Sequence, residues 1–491
     1  MQGYRFQKSL PYLLPSGTGT TLFYTAPFLV MLLYAFSGGG GLAALGGNHA
    51  FAVGARNTAV YLFCGIGAAL LLGMWVALAL RPRSLSVKLA LLAPLMLPSA
   101  AVAMLWRTLI PWESLWVLIL LLVWKITGVN AVLLTAAHNK IPSEVIESGQ
   151  LDGAGGLRLF LRVKWPYLVS SVFFAALIDL LFAWRTFREV YLLTGDYPHD
   201  SLYLIQHYLM HMFRRLQYGR VAYRIHRGGR GGSRHNGVDV SADQRTGKGC
   251  GSMKTLAKAL LVLLALLPVG ILLWLAVPQL SLLWGDRAYW RGYAVSLGLT
   301  AVILLFQLAV ALPAAYGLAR WRGRLRDAAY LLYCLLTLLP VQVMLLPNYL
   351  VCRALGPLNT QLAIVLLGVF SPLSVFLLAR AMQRIGVEQS EAASLDGAGA
   401  WTIFRRIYLP QVRDTAYIAA GLAFLDQWSM VELPLVLLSD ESKLPLSILL
   451  TRTAFATPHA GAALYLLPAA VAVAVAAICV RGKCKWDISI L

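Results

Sequence analysis

Several charged and polar side chains interrupt the long apolar runs of this sequence. Lys125 and Asn130 lie in one run, Asp179 in the next, and Asp426 and Glu432 in a run of the second half. A charge at the centre of a bilayer costs about 2.5 to 3.5 kcal/mol on insertion scales, so such residues usually face a bundle interior or a transport pathway. These five are therefore pathway candidates, with Lys125 and Asp179 a candidate ion pair. For each one singly, a structural role between helices is preferred over substrate contact. The same reasoning covers Gln307, Gln342, Asn348 and Gln427.

Two tryptophans are candidates as a pair. Trp184 and Trp428 each lie near the end of an apolar run, about 244 residues apart, and this recurrence indicates equivalent positions in a repeat. Aromatic faces are suitable platforms for sugars, but tryptophan belts at membrane interfaces place the same residue at the same depth. Both interpretations stay open.

The residue types needed for ATP hydrolysis or metal binding do not occur in a suitable pattern. The sequence has no Gly-x-x-x-x-Gly-Lys-Ser/Thr phosphate loop, which argues against ATP hydrolysis by that route. His207 and His211 stand at helical spacing without an accompanying Glu, so an external amphipathic segment is the preferred interpretation. The 6 cysteines include no Cys-x-x-Cys pair, so we predict neither a disulfide framework nor a zinc site. The chain is predicted not to be an enzyme.

Composition places the chain in a membrane. Hydrophobic residues make up 59% and charged residues only 13% of the 491 residues, whereas an ordinary soluble domain has about 25% charged residues. The apolar runs are about 20 residues long, which is typical of membrane-spanning helices. The formal net charge of +21 comes from short basic clusters between these runs. That distribution favours positive-inside topology over nucleic-acid binding.

One polar segment occurs twice between apolar runs. Residues 141–166 read IPSEVIESGQLDGAGGLRLFLRVKWP and residues 385–410 read IGVEQSEAASLDGAGAWTIFRRIYLP. Each contains a helix-prone stretch followed by Leu-Asp-Gly-Ala, in which Asp can cap a helix and Gly can adopt a positive φ. The sequence therefore predicts a helix-turn-helix in water at the same place in each of two homologous units.

These segments resemble the EAA loop of ATP-binding-cassette (ABC) importer permeases, with its Glu-Ala-Ala, a later Gly and a closing Ile-x-Leu-Pro. The second copy matches closely through Glu391-Ala392-Ala393, Gly397 and Ile407-Tyr408-Leu409-Pro410. The first copy departs from the pattern at Ser148-Gly149 and at its closing Val163-Lys164-Trp165-Pro166. A glycine inside a helix costs about 1 kcal/mol relative to alanine, so the first loop is expected to be softer.

The resemblance implies an all-α membrane protein with the type I ABC importer permease fold, in two halves of about six transmembrane helices each. It implies a multi-pass protein of the bacterial plasma (inner) membrane, partnered by a dimer of ATP-binding ABC subunits and by an extracellular or periplasmic solute-binding protein. ATP and Mg²⁺ would bind in the partner ATPase, and this chain would hold no cofactor. The ATPase-coupling residues would be Glu147, Asp152, Gly153, Glu391, Ala392, Asp396, Gly397 and Pro410. Acidic residues near a helix start are also ordinary helix stabilisers.

The substrate class is indicated by two further segments. FREVYLLTG at 187–195 and WSMVELPLVLLSDE at 428–441 look like segments of carbohydrate (maltose-type) permeases, so a sugar or oligosaccharide is expected. Alternatives within the class are a polyamine, ferric iron or glycerol phosphate. A secondary transporter could also have two halves and buried charges, but it would not need a cytoplasmic EAA loop in each half.

The apolar runs predict the membrane spans. These are placed at about 22–36, 58–80, 89–109, 115–137, 167–187, 256–277, 293–319, 328–351, 361–379, 414–438 and 460–480. Two cytoplasmic loops require an even number of spans between them, yet five are predicted there, so one crossing is missing. The units are assigned to residues 1–220 and 253–491, separated by the basic, Gly-rich tract 221–252.

The tract 221–252 coincides with the missing crossing. It is dense in Arg, Gly and His and contains no apolar run able to cross a bilayer, and Met253 then opens what resembles a new amino terminus. We hypothesise a frameshift that joins two adjacent permease genes, so that the natural form would be a heterodimer. The alternative is a native linker, with residues 201–213 dipping into the membrane to restore parity.

Overall fold

The computed structural model describes residues 6–37, 48–82, 84–110, 114–195, 198–217, 252–321, 323–339, 341–452 and 458–481. Within these ranges the ordered elements are all helices, which confirms the predicted all-α class. The tract 221–252, the glycine run at 38–41 and the frameshift hypothesis lie outside the described residues.

The first unit has eleven described α-helices, several extended by a π-helical turn. They are α1 Phe6–Thr20, α2 Ala26–Ser37, α3 His49–Trp75, α4 Leu85–Met96, α5 Ser99–Leu109, α6 Leu115–His138, α7 Ser143–Leu151, α8 Gly156–Leu159, α9 Trp165–Trp184, α10 Phe187–Thr194 and α11 Ile205–Gln217.

The second unit repeats this order among its described residues. Its helices are α12 Ser252–Ala276, α13 Leu280–Leu283, α14 Arg287–Arg320, α15 Arg324–Leu338, α16 Val341–Leu355, α17 Gln361–Val369, α18 Pro372–Gln383, α19 Val387–Leu395, α20 Ala400–Ile403, α21 Leu409–Trp428, α22 Glu432–Leu437, α23 Leu446–Arg452 and α24 Pro458–Arg481.

The helices long and apolar enough to cross a membrane confirm a multi-pass protein. The described residues contain six such helices, or up to eight if each of two bent helix pairs forms one span. The first predicted span, 22–36, belongs to a longer helical stretch that already starts at Phe6. The predicted span 414–438 is too long, because α21 ends at Trp428 and α22 begins as a separate helix at Glu432.

Two predicted spans are sharply bent. Residues 89–109 were expected to form one helix, but α4 and α5 meet at 92°. α15 and α16, in the predicted span 328–351, meet at 98°. Leu97 and Leu339 have extended backbone at the breaks, and each precedes a proline, which disfavours helical conformation in the residue before it.

The first helix of each unit packs against helices of the other unit. α1 packs along α14 of the second unit, where Ser16 Oγ lies 3.0 Å from the hydroxyl of Tyr333. The ring of Phe23 stacks on that of Phe370 at 5.6 Å. Reciprocally, α12 packs along α4, and the carbonyl of Leu264 accepts a 3.3 Å hydrogen bond from Trp124 Nε1. The two units therefore share an extensive contact, to which the first helix of each unit contributes.

Candidate functional site

The two repeated loops fold alike, as their sequences predict. α7 ends at Leu151 and α19 at Leu395, and each is followed by Asp-Gly with the glycine at positive φ, 76° at Gly153 and 81° at Gly397. Such a glycine ends a helix without the Cβ clash that other residues meet. In both loops the next amide closes the turn, from Ala154 to Gly149 O at 3.0 Å and from Ala398 to Ala393 O at 2.9 Å. The helix-turn-helix conformation is confirmed.

Large apolar side chains stand exposed on both loops. Leu151 is 88% exposed and its counterpart Leu395 is 90% exposed, and the next pair, Leu157 and Trp401, are 71% and 58% exposed. Sequence reasoning did not single out these four residues. A signal was present, because an apolar residue directly before Asp-Gly, in a segment expected to lie in water, recurs in both copies.

The predicted coupling residues lie on the same two loops. The acidic ones, Glu147, Asp152, Glu391 and Asp396, are exposed. Ala392 is also exposed, and Pro410 lies just after the π-helical turn Phe404–Tyr408 that leads into α21. Their coupling role stays a prediction.

The departure of the first loop from the EAA pattern has a packing explanation. A Cβ on Gly149 would lie 2.9 Å from Val163 Cγ2, so the glycine allows α7 to approach the chain that follows it. The equivalent Ala393 is accommodated beside the aromatic cluster under the second loop. There the Tyr316 hydroxyl donates to Ala400 O at 3.3 Å, and the guanidinium of Arg320 lies over the Tyr316 ring.

A network of ion pairs joins the two units beyond the ends of α9 and α21. Arg188 Nε lies 2.8 Å from Glu432 Oε2, and Arg188 Nη1 lies 2.8 Å from Asp426 Oδ1. Arg185 Nη1 reaches the same Asp426 oxygen at 3.0 Å. Glu432 is buried. A buried ion pair that loses one partner leaves an uncompensated charge, so each unit depends on the other here.

Glu189, next to Arg188 in the sequence, forms a separate cluster within the first unit. Its carboxylate accepts hydrogen bonds from Lys125 and, at 2.9 Å, from Ser99 Oγ. The candidate pairing of Lys125 with Asp179 is therefore wrong. Asp179 instead accepts from Asn130 Nδ2 at 2.8 Å. Lys125 and Asn130 are five residues apart, about 140° around a helix, so they face different neighbours.

The paired tryptophans have different surroundings. Trp428 is 1% exposed, stacks on Tyr465 with ring centroids 4.8 Å apart, and donates from Nε1 to Tyr465 O at 3.0 Å. Trp184 is half-buried, and its indole nitrogen has no hydrogen-bond partner among the described residues. Its carbonyl accepts from Gln206 Nε2 at 2.5 Å. The choice between a sugar platform and an interfacial belt stays open, but in this conformation Trp428 is closed to a ligand.

The remaining polar candidates are mostly enclosed. Gln307 donates to Ser374 Oγ at 2.7 Å, while both amide atoms of buried Gln342 lack a partner in the described structure. His207 is buried and accepts from the Leu204 amide at 3.2 Å. No group of His, Cys, Asp or Glu that could hold a metal ion occurs within the described part of the chain.

Three charged residues of the site were missed from sequence. Arg185, Arg188 and Glu189 lie in the stretch RTFRE, whose FRE part served only as an indication of the substrate class. The available signal was their density: three charges within five residues directly after an apolar run. Only the fold shows that two of them reach the other unit.

The helical fold, its two units and the repeated exposed loop define a membrane transport component. The chain belongs to the family described as binding-protein-dependent transport system inner membrane component, whose model matches residues 65–281 and 307–482. The resemblance noted from the sequence and the presence of two units in one chain are thereby confirmed. The unit boundaries at 220 and 253 stay a prediction.

Several curated relatives are sugar permeases by name. The chain is 29% identical over 168 residues to the lactose transport system permease protein LacG of Rhizobium radiobacter, covering 34% of this chain and 60% of that protein. It is 27% identical over 160 residues to the arabinooligosaccharides transport system permease protein AraQ of Halalkalibacterium halodurans, covering 33% and 57%. It is 27% identical over 171 residues to the diacetylchitobiose uptake system permease protein DasC of Streptomyces coelicolor, covering 34% and 61%. The chain thus spans between 57% and 61% of the length of these relatives.

Proposed function

We propose that this chain is the permease of an ABC importer for a sugar or oligosaccharide, driven by a separate ATPase that docks on the two EAA loops. The observation that carries the proposal is the matched exposure of Leu151 and Leu395, each next to an Asp-Gly turn. Exposed apolar side chains on a polar segment mark interaction surfaces.

The energetics support docking at both loops. Burial of one leucine side chain contributes about 1.5 to 3 kcal/mol, and each loop offers two large apolar side chains within a rim of carboxylates. Since the loops occupy equivalent positions in the two units, they present two similar docking sites to a dimeric partner. Closure of that dimer on ATP and Mg²⁺ would move the loops and, through them, the helices of both units.

The substrate assignment rests on the relatives and on charge. Lactose, arabinooligosaccharides and diacetylchitobiose appear in the names of three relatives. The described charges cancel, with Arg188 against Glu432 and Arg185 against Asp426 across the interface, and Lys125 against Glu189 next to it within the first unit. An uncharged solute suits such a balanced interface better than a polyamine, ferric iron or glycerol phosphate. A solute-binding protein on the outer face would deliver it.

The test is substitution of Leu395 or Leu151 by Asp, with Leu395→Met as the matched control that keeps an apolar side chain. Each Asp variant should reach the membrane normally but lose most uptake of a radiolabelled disaccharide panel, and should lose co-purification of the ATPase subunit. Leu395→Met should behave as wild type.

Two results would contradict the proposal. Uptake by Leu395→Asp at normal expression would exclude coupling through this loop. Uptake of radiolabelled spermidine or glycerol phosphate, without uptake of any sugar, would retain the importer but overturn the substrate class.

A further inference from the structure

The two short helices that follow α9 and α21 meet each other across the units. Arg188 is the second residue of α10 and Glu432 the first residue of α22. The two residues are 244 positions apart, the same spacing that relates Trp184 to Trp428 and Leu151 to Leu395. The ion pair therefore joins equivalent positions of the two units, as a contact between matching surfaces does.

The charges of this contact are divided by unit. The first unit contributes Arg185 and Arg188, and the second contributes Asp426 and Glu432. At the repeat spacing, Phe182 stands where the second unit has Asp426, and Ser429 stands where the first unit has Arg185. Each contact face therefore carries one sign of charge only.

The acidic residue beside Arg188 does not neutralise the cationic face. Glu189 is turned toward its own unit, where it is bound by Lys125 and Ser99. Thr186 is likewise held within the first unit by the hydroxyl of Tyr61. Residues 186 and 189 are thus bound within the first unit, whereas residues 185 and 188 contact the second unit.

We propose that this charge division makes the contact specific for two unlike units. The first unit accepts a partner unit with carboxylates at the positions of Asp426 and Glu432, and rejects a second copy of itself, because four guanidinium groups would then meet without a carboxylate. Like charges opposed in a poorly solvated interface are strongly repulsive. A specific interface often depends on such a penalty against the wrong partner. This inference is independent of the transported solute.

The experiment inverts the charges in the full-length chain. Arg188→Glu and Glu432→Arg each oppose like charges, whereas the double variant R188E/E432R restores an opposite pair. The measurements are the yield of monodisperse protein from membranes and its thermal unfolding midpoint in detergent, neither of which requires transport. Arg326→Glu, at an exposed pair with Asp327 within one unit, is the control for charge inversion as such.

The expected result is a loss of about tenfold or more in folded yield for each single inversion, and a recovery to about half of the wild-type yield in the double variant, the signature of a direct pairwise coupling. Arg326→Glu should stay near wild type. Wild-type yield and midpoint in either single inversion would overturn the proposal, as would a double variant no better than the single ones. If the variants gave these yields and midpoints but the wild-type chain did not take up sugar, only the proposed function would be contradicted, and the charge-specific contact would stand.

Discussion

The two units of this chain have nearly the same sequence of helices but use equivalent positions in different ways. Trp184 and Trp428 end the same span, yet only Trp428 is sealed into an aromatic stack on α24. Arg188 and Glu432 begin the same short helix with opposite charges. The exposed loops, by contrast, are alike in turn, glycine and apolar side chains. Divergence is therefore found where the units meet, and similarity in the loop that each unit exposes.

The largest effect is expected at the two turn glycines, because both loops have the same turn. Gly397→Asp, and equally Gly153→Asp, should abolish uptake while membrane insertion stays intact. A side chain at positive φ costs about 1 to 2 kcal/mol, which disfavours the turn that follows Leu151 and Leu395. Uptake and the amount of protein in the membrane fraction are the measurements.

The control for Gly397→Asp is Gly399, two residues further along the second loop. Gly399 has φ −68° and open space around a Cβ, so Gly399→Asp adds the same charge to the loop without backbone strain and should retain more uptake. If Gly397→Asp transported normally at normal expression, the turn would have no part in coupling.

The difference between the tryptophans predicts unequal costs of truncation. Trp428→Ala should destabilise the chain by about 3 to 5 kcal/mol, as expected for a large buried aromatic residue. Trp184→Ala should cost about 1 to 2 kcal/mol, because its ring is only half-buried. Unfolding of both variants in detergent, followed by denaturant or heat, measures the difference. Equal costs would show that the two environments are the same in solution.

The smallest effect concerns the glycine that distinguishes the first loop. Ala393→Gly should cost about 1 kcal/mol through lost helix propensity. Gly149→Ala should be nearly neutral, because the gain of similar size is offset by the contact of the new Cβ with Val163 at 2.9 Å. A shift of a few degrees in the unfolding midpoint for the first variant alone would support this. A clear stabilisation by Gly149→Ala would show that Val163 gives way easily.

Much of the fold was predictable because it depends on local chemistry. Apolar runs of bilayer length indicate spanning helices, and Leu-Asp-Gly requires the same turn wherever it occurs. The bends at Leu97 and Leu339 were foreseeable from the prolines that follow, although hydropathy alone predicts one straight span at each place. The wrong pairing of Lys125 with Asp179 came from choosing partners by sign of charge, without the rotational position of each residue on its helix.

The sequence by itself determined the membrane class, the repeat, the loop conformation and the family, because each depends on residue type at short spacing. Only the tertiary structure decided which charges meet. Arg188 and Glu432 are far apart in the chain, and their contact arises from the packing of the two units against each other. The same holds for the exchange of first helices, which no local pattern records. Long-range pairing depends on the geometry of the assembled helices, and that geometry is fixed by the packing of all spans together.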